Sequence, residues 1–183
     1  HGRAPQVGEM FYFPQVAKTF ERIAKEGIRD FYEGEIAKAI IDYANQSQAA
    51  LTASDLSNYK PDWVGTISTK VQGYDVHEIP PNGQGIGALM AMGIVEQCNL
   101  AQYPVDSVES QHLQIEAMKL AFADIYRYVA DPRSMEVSPE QMLNPQYLAK
   151  RAQLINTQKA THFGFGMPKT GGTIYLSAAD EQG

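Results

Sequence analysis

With 183 residues, 44% hydrophobic and 20% charged, the chain is large enough to bury a core without disulfides or a structural metal, and its composition excludes wholesale disorder. A net charge of −6 and a pI of about 5.2 argue against a nucleic-acid binder, whose footprint is basic. The single cysteine, Cys98, excludes an internal disulfide and a multi-cysteine zinc site.

The length predicts about one domain. The longest apolar run, Gly85 to Val95, ends at Glu96 and falls short of the ~18 to 20 residues a spanning helix needs. His1-Gly2-Arg3-Ala4-Pro5 carries no signal-peptide pattern and no starting Met. Both ends are expected to be cuts inside a longer protein.

The first predicted helix covers Pro14 to Glu26, with Val16, Ala17, Phe20, Ile23 and Ala24 on one face and Gly27 as its C-terminal glycine. A second runs from about Gly34 to Asn45, with Ile36, Ala37, Ile40, Ile41 and Ala44 inward. Thr52 to Tyr59 is polar with short-turn character. Val64 to Val71 and Tyr74 to Ile79 predict two strands in a hairpin turned at Gln72-Gly73, stopped by Pro80-Pro81. A Met- and Ala-rich helix follows from about Gly87 to Cys98. The longest helix is expected from about Ser107 to Ala130, with Ile115, Met118, Phe122, Ile125 and Val129 as its apolar stripe. Ser138-Pro139-Glu140-Gln141 is a capping-box start, and Asn144-Pro145 repeats the device. Phe163 to Gly172 reads as flexible, and Thr173 to Ala179 as a strand. The fold class is α+β, helix-dominated, with a β-hairpin near 64–79.

The sharpest chemical feature is Gly171-Gly172-Thr173. Glycine before threonine lets the hydroxyl approach the preceding carbonyl. An N-to-O acyl shift and hydrolysis would then free the threonine α-amine, whose ordinary pKa of about 7.7 to 8.0 leaves it partly neutral near pH 7. That amine is a base for its own hydroxyl, the pairing of an N-terminal threonine nucleophile. Taken alone, the local residues fit better a β-branched residue opening a strand after a loop.

Other features have bland readings beside functional ones. Gly83-Gln84-Gly85-Ile86-Gly87-Ala88 has dinucleotide-loop spacing, with Asp106 downstream for a ribose. That site needs a parallel βαβ unit, whereas a hairpin strand precedes it here, so close packing at the turn is the expectation. His1, His77, His112 and His162 form no metal-ligand spacing, and His77 and His112 are expected on element surfaces. Glu116 and Asp124 share a helix face. They fit a paired-carboxylate site, a solvated face, or a salt bridge to Lys119 or Arg127. Cys98 and Met90 with Met92 read as apolar packing.

An ordered series of stretches resembles the gamma-glutamyltranspeptidase family of N-terminal-nucleophile hydrolases. It runs through Ala4-Pro5, Gly8-Glu9 and Pro14; Ile23-Ala24-Lys25-Glu26-Gly27; and Phe31-Tyr32-Glu33-Gly34-Glu35-Ile36-Ala37. Leu51-Thr52-Ala53-Ser54-Asp55-Leu56, Tyr59, Gly73-Tyr74-Asp75-Val76 and Pro80-Pro81-Asn82-Gly83-Gln84-Gly85 follow. Glu116-Ala117-Met118-Lys119-Leu120-Ala121-Phe122-Ala123-Asp124, Asp131-Pro132 and Thr173 to Asp180 complete it. Departures are Ile125 in place of an arginine after Ala-Asp, with Arg127 the nearest substitute; Ala49-Ala50 in place of Gly-Gly; and Ile174-Tyr175 where many members have Thr-His.

The resemblance implies an αββα sandwich in the full-length protein and a precursor cut into two subunits. Thr173 is then the nucleophile and Gly172-Thr173 the processed bond. Residues 1–172 are the C-terminal half of the large subunit and 173–183 the start of the small one. It implies no cofactor and no metal, a gamma-glutamyl or related acyl amide such as glutathione as donor, and water or an amine as acceptor. The partners are the remainder of both subunits, and export is favoured over a cytoplasmic location. The arginine for the glutamyl carboxylate would lie upstream of His1 and the oxyanion glycines downstream of Gly183, so residues 1–183 alone are expected to be inactive and uncut. A related acylase, or a non-catalytic helical binding module, is the alternative.

Overall fold

The computed structural model describes residues 2–168. Gly172, Thr173 and the strand expected at Thr173 to Ala179 lie outside the described residues. Where the length suggests about one domain, the chain divides into two compact units, His1–Asp62 and Trp63–Gly183.

The first unit is four helices: α1 (Pro14–Glu26), α2 (Arg29–Glu33), α3 (Glu35–Gln46) and α4 (Ala53–Ser57). Gly27 ends α1 with a positive φ of 87°, which glycine adopts without a Cβ penalty. Gly34 joins α2 to α3 where a Cβ would overlap the Asp30 carboxylate. That carboxylate receives Arg22 at 2.6 and 2.9 Å, and this hydrogen-bonded pairing holds the Asp30 carboxyl below its usual range. Thr52 and Asp55 form a reciprocal capping box on α4, and Tyr32 stacks on Tyr59 at 5.7 Å. Family-like residues at these positions are therefore builders of helix joints. On α3, Ala37 and Ala44 are buried while Ile36, Ile40 and Ile41 are half-buried. The shared apolar face of α1 is left largely open: no α1 residue is buried, and Phe20 is 66% exposed.

The second unit holds the main core. Strands β1 (Ile67–Val71) and β2 (Tyr74–Glu78) pair antiparallel, Ile67 opposite Glu78 and Val71 opposite Tyr74. Gln72 and Gly73 turn the hairpin with φ of 48° and 84°, the positive values a two-residue turn of this hand requires. Helix α5 (Gly85–Glu96) is apolar on most sides and buries seven residues, as a helix enclosed by its neighbours does. Helices α6 (Val108–Tyr128), α7 (Pro139–Met142) and α8 (Pro145–Ala152) follow among the described residues. Ile86, Met90 and Ile94 of α5 meet Ala117, Leu120 and Ala121 of α6, with Met142, Tyr147 and Leu148 in the same cluster.

The helix starts at Ser138 and Asn144 form as expected: Ser138 accepts from Gln141 N–H, and Asn144 from the amides of Gln146 and Tyr147. The buried face of α6 differs from its apolar stripe. Ile115 is 57% exposed and Met118 40%, whereas Leu113, Glu116, Ala117, Leu120, Ala121, Asp124, Ile125 and Tyr128 are buried. The inner face carries two carboxylates, which a search for apolar periodicity assigns to solvent.

The glycine loop is a packing device. It follows an antiparallel strand, and among the described residues the sheet has these two strands alone, so the parallel unit of a dinucleotide site is lacking. A Cβ on Gly87 would overlap Ile125 Cδ1, and one on Gly85 would crowd the Glu78 carboxylate.

Candidate functional site

The described residues closest in sequence to Thr173 are 161–168. They form no helix or strand, yet are tied to α6 and α8 by buried groups. Asp124, fully buried, accepts the Gly166 N–H at 2.7 Å on Oδ1 and the Tyr147 hydroxyl at 2.7 Å on Oδ2. Arg151 lies 3.1 Å from Oδ1, and the same guanidinium donates to the carbonyls of Gly164 (2.9 Å) and Leu120 (3.2 Å). Tyr128 donates to the Gly166 carbonyl at 2.6 Å. Gly166 is thus held through both its backbone groups. A Cβ there would overlap the Tyr147 hydroxyl, so the close approach requires glycine.

A second anchor lies two turns earlier on α6. Glu116, 1% exposed, accepts the Thr161 N–H at 2.9 Å and pairs with Lys119 at 2.5 Å. Cations and rings follow the same order. Lys119 Nζ sits 5.3 Å from the Phe163 ring centre, and Arg127 5.6 Å from that of Phe165, which meets Tyr128 edge-on. Eight residues of helix rise about 12 Å, and over that length one helix face holds the chain at Thr161 and at Gly166.

Electrostatics separate the two carboxylates. Burial pushes Asp124 above the usual aspartate range, held back by the Gly166 amide, Tyr147 and Arg151. The Tyr147 phenol is pushed up by burial and by its bond to Asp124. At Glu116, burial acts upward, but Lys119, the Thr161 amide and His112 together outweigh it and set the carboxyl below its ordinary value.

These groups correct two expectations. Of the stretch Phe163 to Gly172, expected to be flexible, Gly164 and Gly166 are held by hydrogen bonds, and residues 169–172 lie outside the described residues. Asp124 lies on no solvated face, and its cation is Arg151. Arg127, the nearest substitute in sequence for the missing arginine, pairs with Glu136 at 3.0 Å on the surface. Ile125, in the arginine's place, is buried against Gly87. The salt bridge expected between Glu116 and Lys119 is present. Every oxygen of the two carboxylates accepts a donor from the chain, which suits holding chain rather than moving protons to a substrate.

The remaining candidates are structural. His77, exposed, hydrogen-bonds Thr66 Oγ1 at 2.9 Å, and His112, half-buried, meets the Asn156 carbonyl at 2.8 Å. Among the described residues no group of His, Cys, Asp and Glu could hold a metal, and no helix is long and apolar enough to cross a membrane. Cys98, half-buried, meets the Ile94 carbonyl, and burial raises its thiol pKa. Met90 is core, whereas Met92 is 39% exposed. Tyr128, Tyr147 and Arg151 escape sequence reasoning, because nothing local links them to Asp124 or to residues 164–166.

Comparison with known proteins places this architecture. A model of the gamma-glutamyltranspeptidase family matches residues 1–183. The chain is 34% identical over 157 residues to a glutathione hydrolase proenzyme of Bacillus subtilis, covering 85% of this chain and 27% of that protein. The crystal structure of cephalosporin acylase from Bacillus halodurans superposes with a TM-score of 0.74 at 44% identity, over 91% of this chain and 31% of that one. Gamma-glutamyltranspeptidase from Pseudomonas nitroreducens gives 0.68 at 35% identity, over 84% and 47%. The chain spans about a third of the length of the curated relatives it matches. Whole-length agreement with the family model, joined to the shared fold of the matched portions, establishes that the chain belongs to the gamma-glutamyltranspeptidase family.

Proposed function

We propose that these residues are part of an amide hydrolase and acyl transferase whose nucleophile is Thr173, with residues 1–172 contributing to a large subunit and 173–183 opening a small one. The observation that carries this is the family match running through Thr173 to residue 183. In maturation the Thr173 Oγ attacks the Gly172 carbonyl carbon. The C–N bond breaks, an ester forms, and the nitrogen leaves as the Thr173 α-amine. Water then cleaves the ester to a Gly172 carboxylate and a free hydroxyl.

In turnover the α-amine takes the hydroxyl proton as Oγ attacks the substrate amide. The substrate nitrogen departs with a proton, and the acyl ester passes to water or to an amine. No residue in this scheme calls for a metal or organic cofactor. The donor is a gamma-glutamyl amide such as glutathione, by kinship with the glutathione hydrolase of B. subtilis.

A second donor class has its own support: the 44% identity to a protein described as a cephalosporin acylase, together with Ile174-Tyr175 in place of the Thr-His common in gamma-glutamyl enzymes. Thr173→Ala in the complete protein tests the chemistry; loss of both maturation and turnover is expected, and survival of either contradicts it. Comparing turnover of a gamma-glutamyl anilide with that of an N-acylated cephalosporin separates the two donor classes.

A further inference from the structure

We propose that Asn82-Gly83 is a self-modification site. The Asn82 carboxamide is lost through a succinimide formed with the Gly83 backbone nitrogen, which leaves aspartate or isoaspartate ahead of α5. The inference is independent of the nucleophile assignment and concerns the glycine loop, which takes no part in that chemistry.

Asparagine is among the thermally labile residues. Its ring closure needs a carboxamide free to turn onto the next residue, a following N–H that no acceptor holds, and no side chain in the way. Asn82 is exposed and Gly83 half-buried, in the turn between β2 and α5. Among the described residues the Gly83 N–H donates to no backbone carbonyl, and nothing lies within 4 Å of the position a Gly83 Cβ would take. The other asparagines each fail a condition. Asn45 lies within α3. Asn144 precedes a proline, which has no N–H, and its Oδ1 already accepts the amides of Gln146 and Tyr147. The Asn156 Oδ1 accepts the Gln158 amide. Asn58 and Asn99 precede Tyr59 and Leu100, whose side chains crowd the approach.

The step balances with water as co-reactant and without electron transfer. The Gly83 nitrogen gives its proton to solvent and attacks Asn82 Cγ. The bond from Cγ to the carboxamide nitrogen breaks, and that nitrogen takes up a proton and leaves as ammonia. Water then opens the ring. Attack at Cγ restores the original main chain with aspartate at position 82. Attack at the main-chain carbonyl carbon leaves Gly83 joined through Cγ and puts one extra methylene into the backbone.

The second product is the one the fold resists. Pro81 is buried on one side of the turn, and Ile86 and Gly87 on the other. Gly85 sits against the Glu78 carboxylate and Gly87 against Ile125. A close-packed interior registers even one methylene, so isoaspartate moves the first turn of α5 off its core partners.

The test uses the full-length protein, so that cover from the rest of the polypeptide is included. It is held at mildly alkaline pH, where the nitrogen loses its proton more readily, and peptide mapping by mass follows the amide-to-acid change at each asparagine. A synthetic peptide from Glu78 to Ala88 gives the unhindered rate, and an isoaspartyl methyltransferase labels the rearranged product. Asn82 is expected to convert before every other asparagine, within an order of magnitude of the peptide rate, and several-fold more slowly in Gly83→Ala. The isoaspartate fraction should melt below Asn82→Asp, which carries the same charge on a normal backbone.

Conversion of Asn82 more than an order of magnitude slower than in the peptide overturns the proposal. Earlier conversion at another asparagine, or a wild-type rate in Gly83→Ala, does the same. Equal melting of the isoaspartate form and Asn82→Asp overturns the effect assigned to α5. Should Gly83→Ala fail to fold, the comparison of protein with peptide decides.

Discussion

Asp124 and Gly166 lie 42 positions apart in the chain, and the buried carboxylate of the first accepts the amide hydrogen of the second at 2.7 Å. The bond turns a segment without helix or strand into a fixed part of the second unit. Amide hydrogen exchange in the complete protein reports on it directly. Gly166 is expected to exchange slowly, and Asp124→Ala to accelerate it together with its neighbours. Removing one partner of a buried charge pair leaves Arg151 uncompensated, a loss of about 3 to 5 kcal/mol. Tyr147→Phe removes one donor and costs about 1 to 3 kcal/mol. Equal exchange in wild type and Asp124→Ala would show that the contact does not hold in solution.

The two anchors respond oppositely to acid. The Glu116 carboxyl titrates below its ordinary value in the folded chain. Its stabilising contribution is therefore complete above the unfolded value of about 4.3 and disappears as pH falls through the lower folded value. Asp124 has a raised folded pKa, so protonating it relieves a burial cost and does not add to the loss. Exchange at Thr161 should accelerate as pH falls below about 4 once corrected for intrinsic rates, and Glu116→Gln should flatten that dependence. Unchanged acid behaviour in Glu116→Gln would contradict the assignment.

The glycines near the hairpin separate packing from turn chemistry. Gly87→Ala places a methyl group on Ile125 Cδ1 inside the core. Overpacking of about 1 to 3 kcal/mol exceeds the roughly 1 kcal/mol gained in helix propensity, so the melting temperature should fall. Gly83 has open space at the Cβ position, and Gly83→Ala should be nearly silent. Equal effects at both positions would refute the packing explanation.

Most elements of this fold are legible locally. The helix at Pro14–Glu26, the hairpin at Gln72-Gly73 and the capped starts at Ser138 and Asn144 are announced by short-range chemistry: periodicity, positive-φ turn residues and side chains that reach the first amides. The buried face of α6 is not. Its Glu116 and Asp124 owe their burial to partners 45 and 42 residues downstream, and local hydropathy carries no trace of such pairs. For the same reason Phe163 to Gly166 resembles a linker, because glycine signals freedom whether or not distant donors remove it. The candidate nucleophile shows the reverse case. Gly172-Thr173 has little local signature, and its meaning comes from the ordered resemblance of the whole chain.

Isolated residues 1–183 provide a check on the incompleteness of the site. The resemblance assigns the oxyanion glycines to later residues, and losing such donors costs about 10²- to 10³-fold in rate. No turnover of a gamma-glutamyl anilide is expected from this piece, and its mass should be that of one uncut chain. Measurable turnover would show that residues 1–183 already hold the catalytic machinery.

The most direct test is N-terminal sequencing of the smaller chain from the mature full-length protein. The account predicts a sequence beginning Thr-Ile-Tyr-Leu-Ser, from Thr173 to Ser177. A polypeptide that stays in one piece while active, or a small chain starting at any other residue, would contradict it.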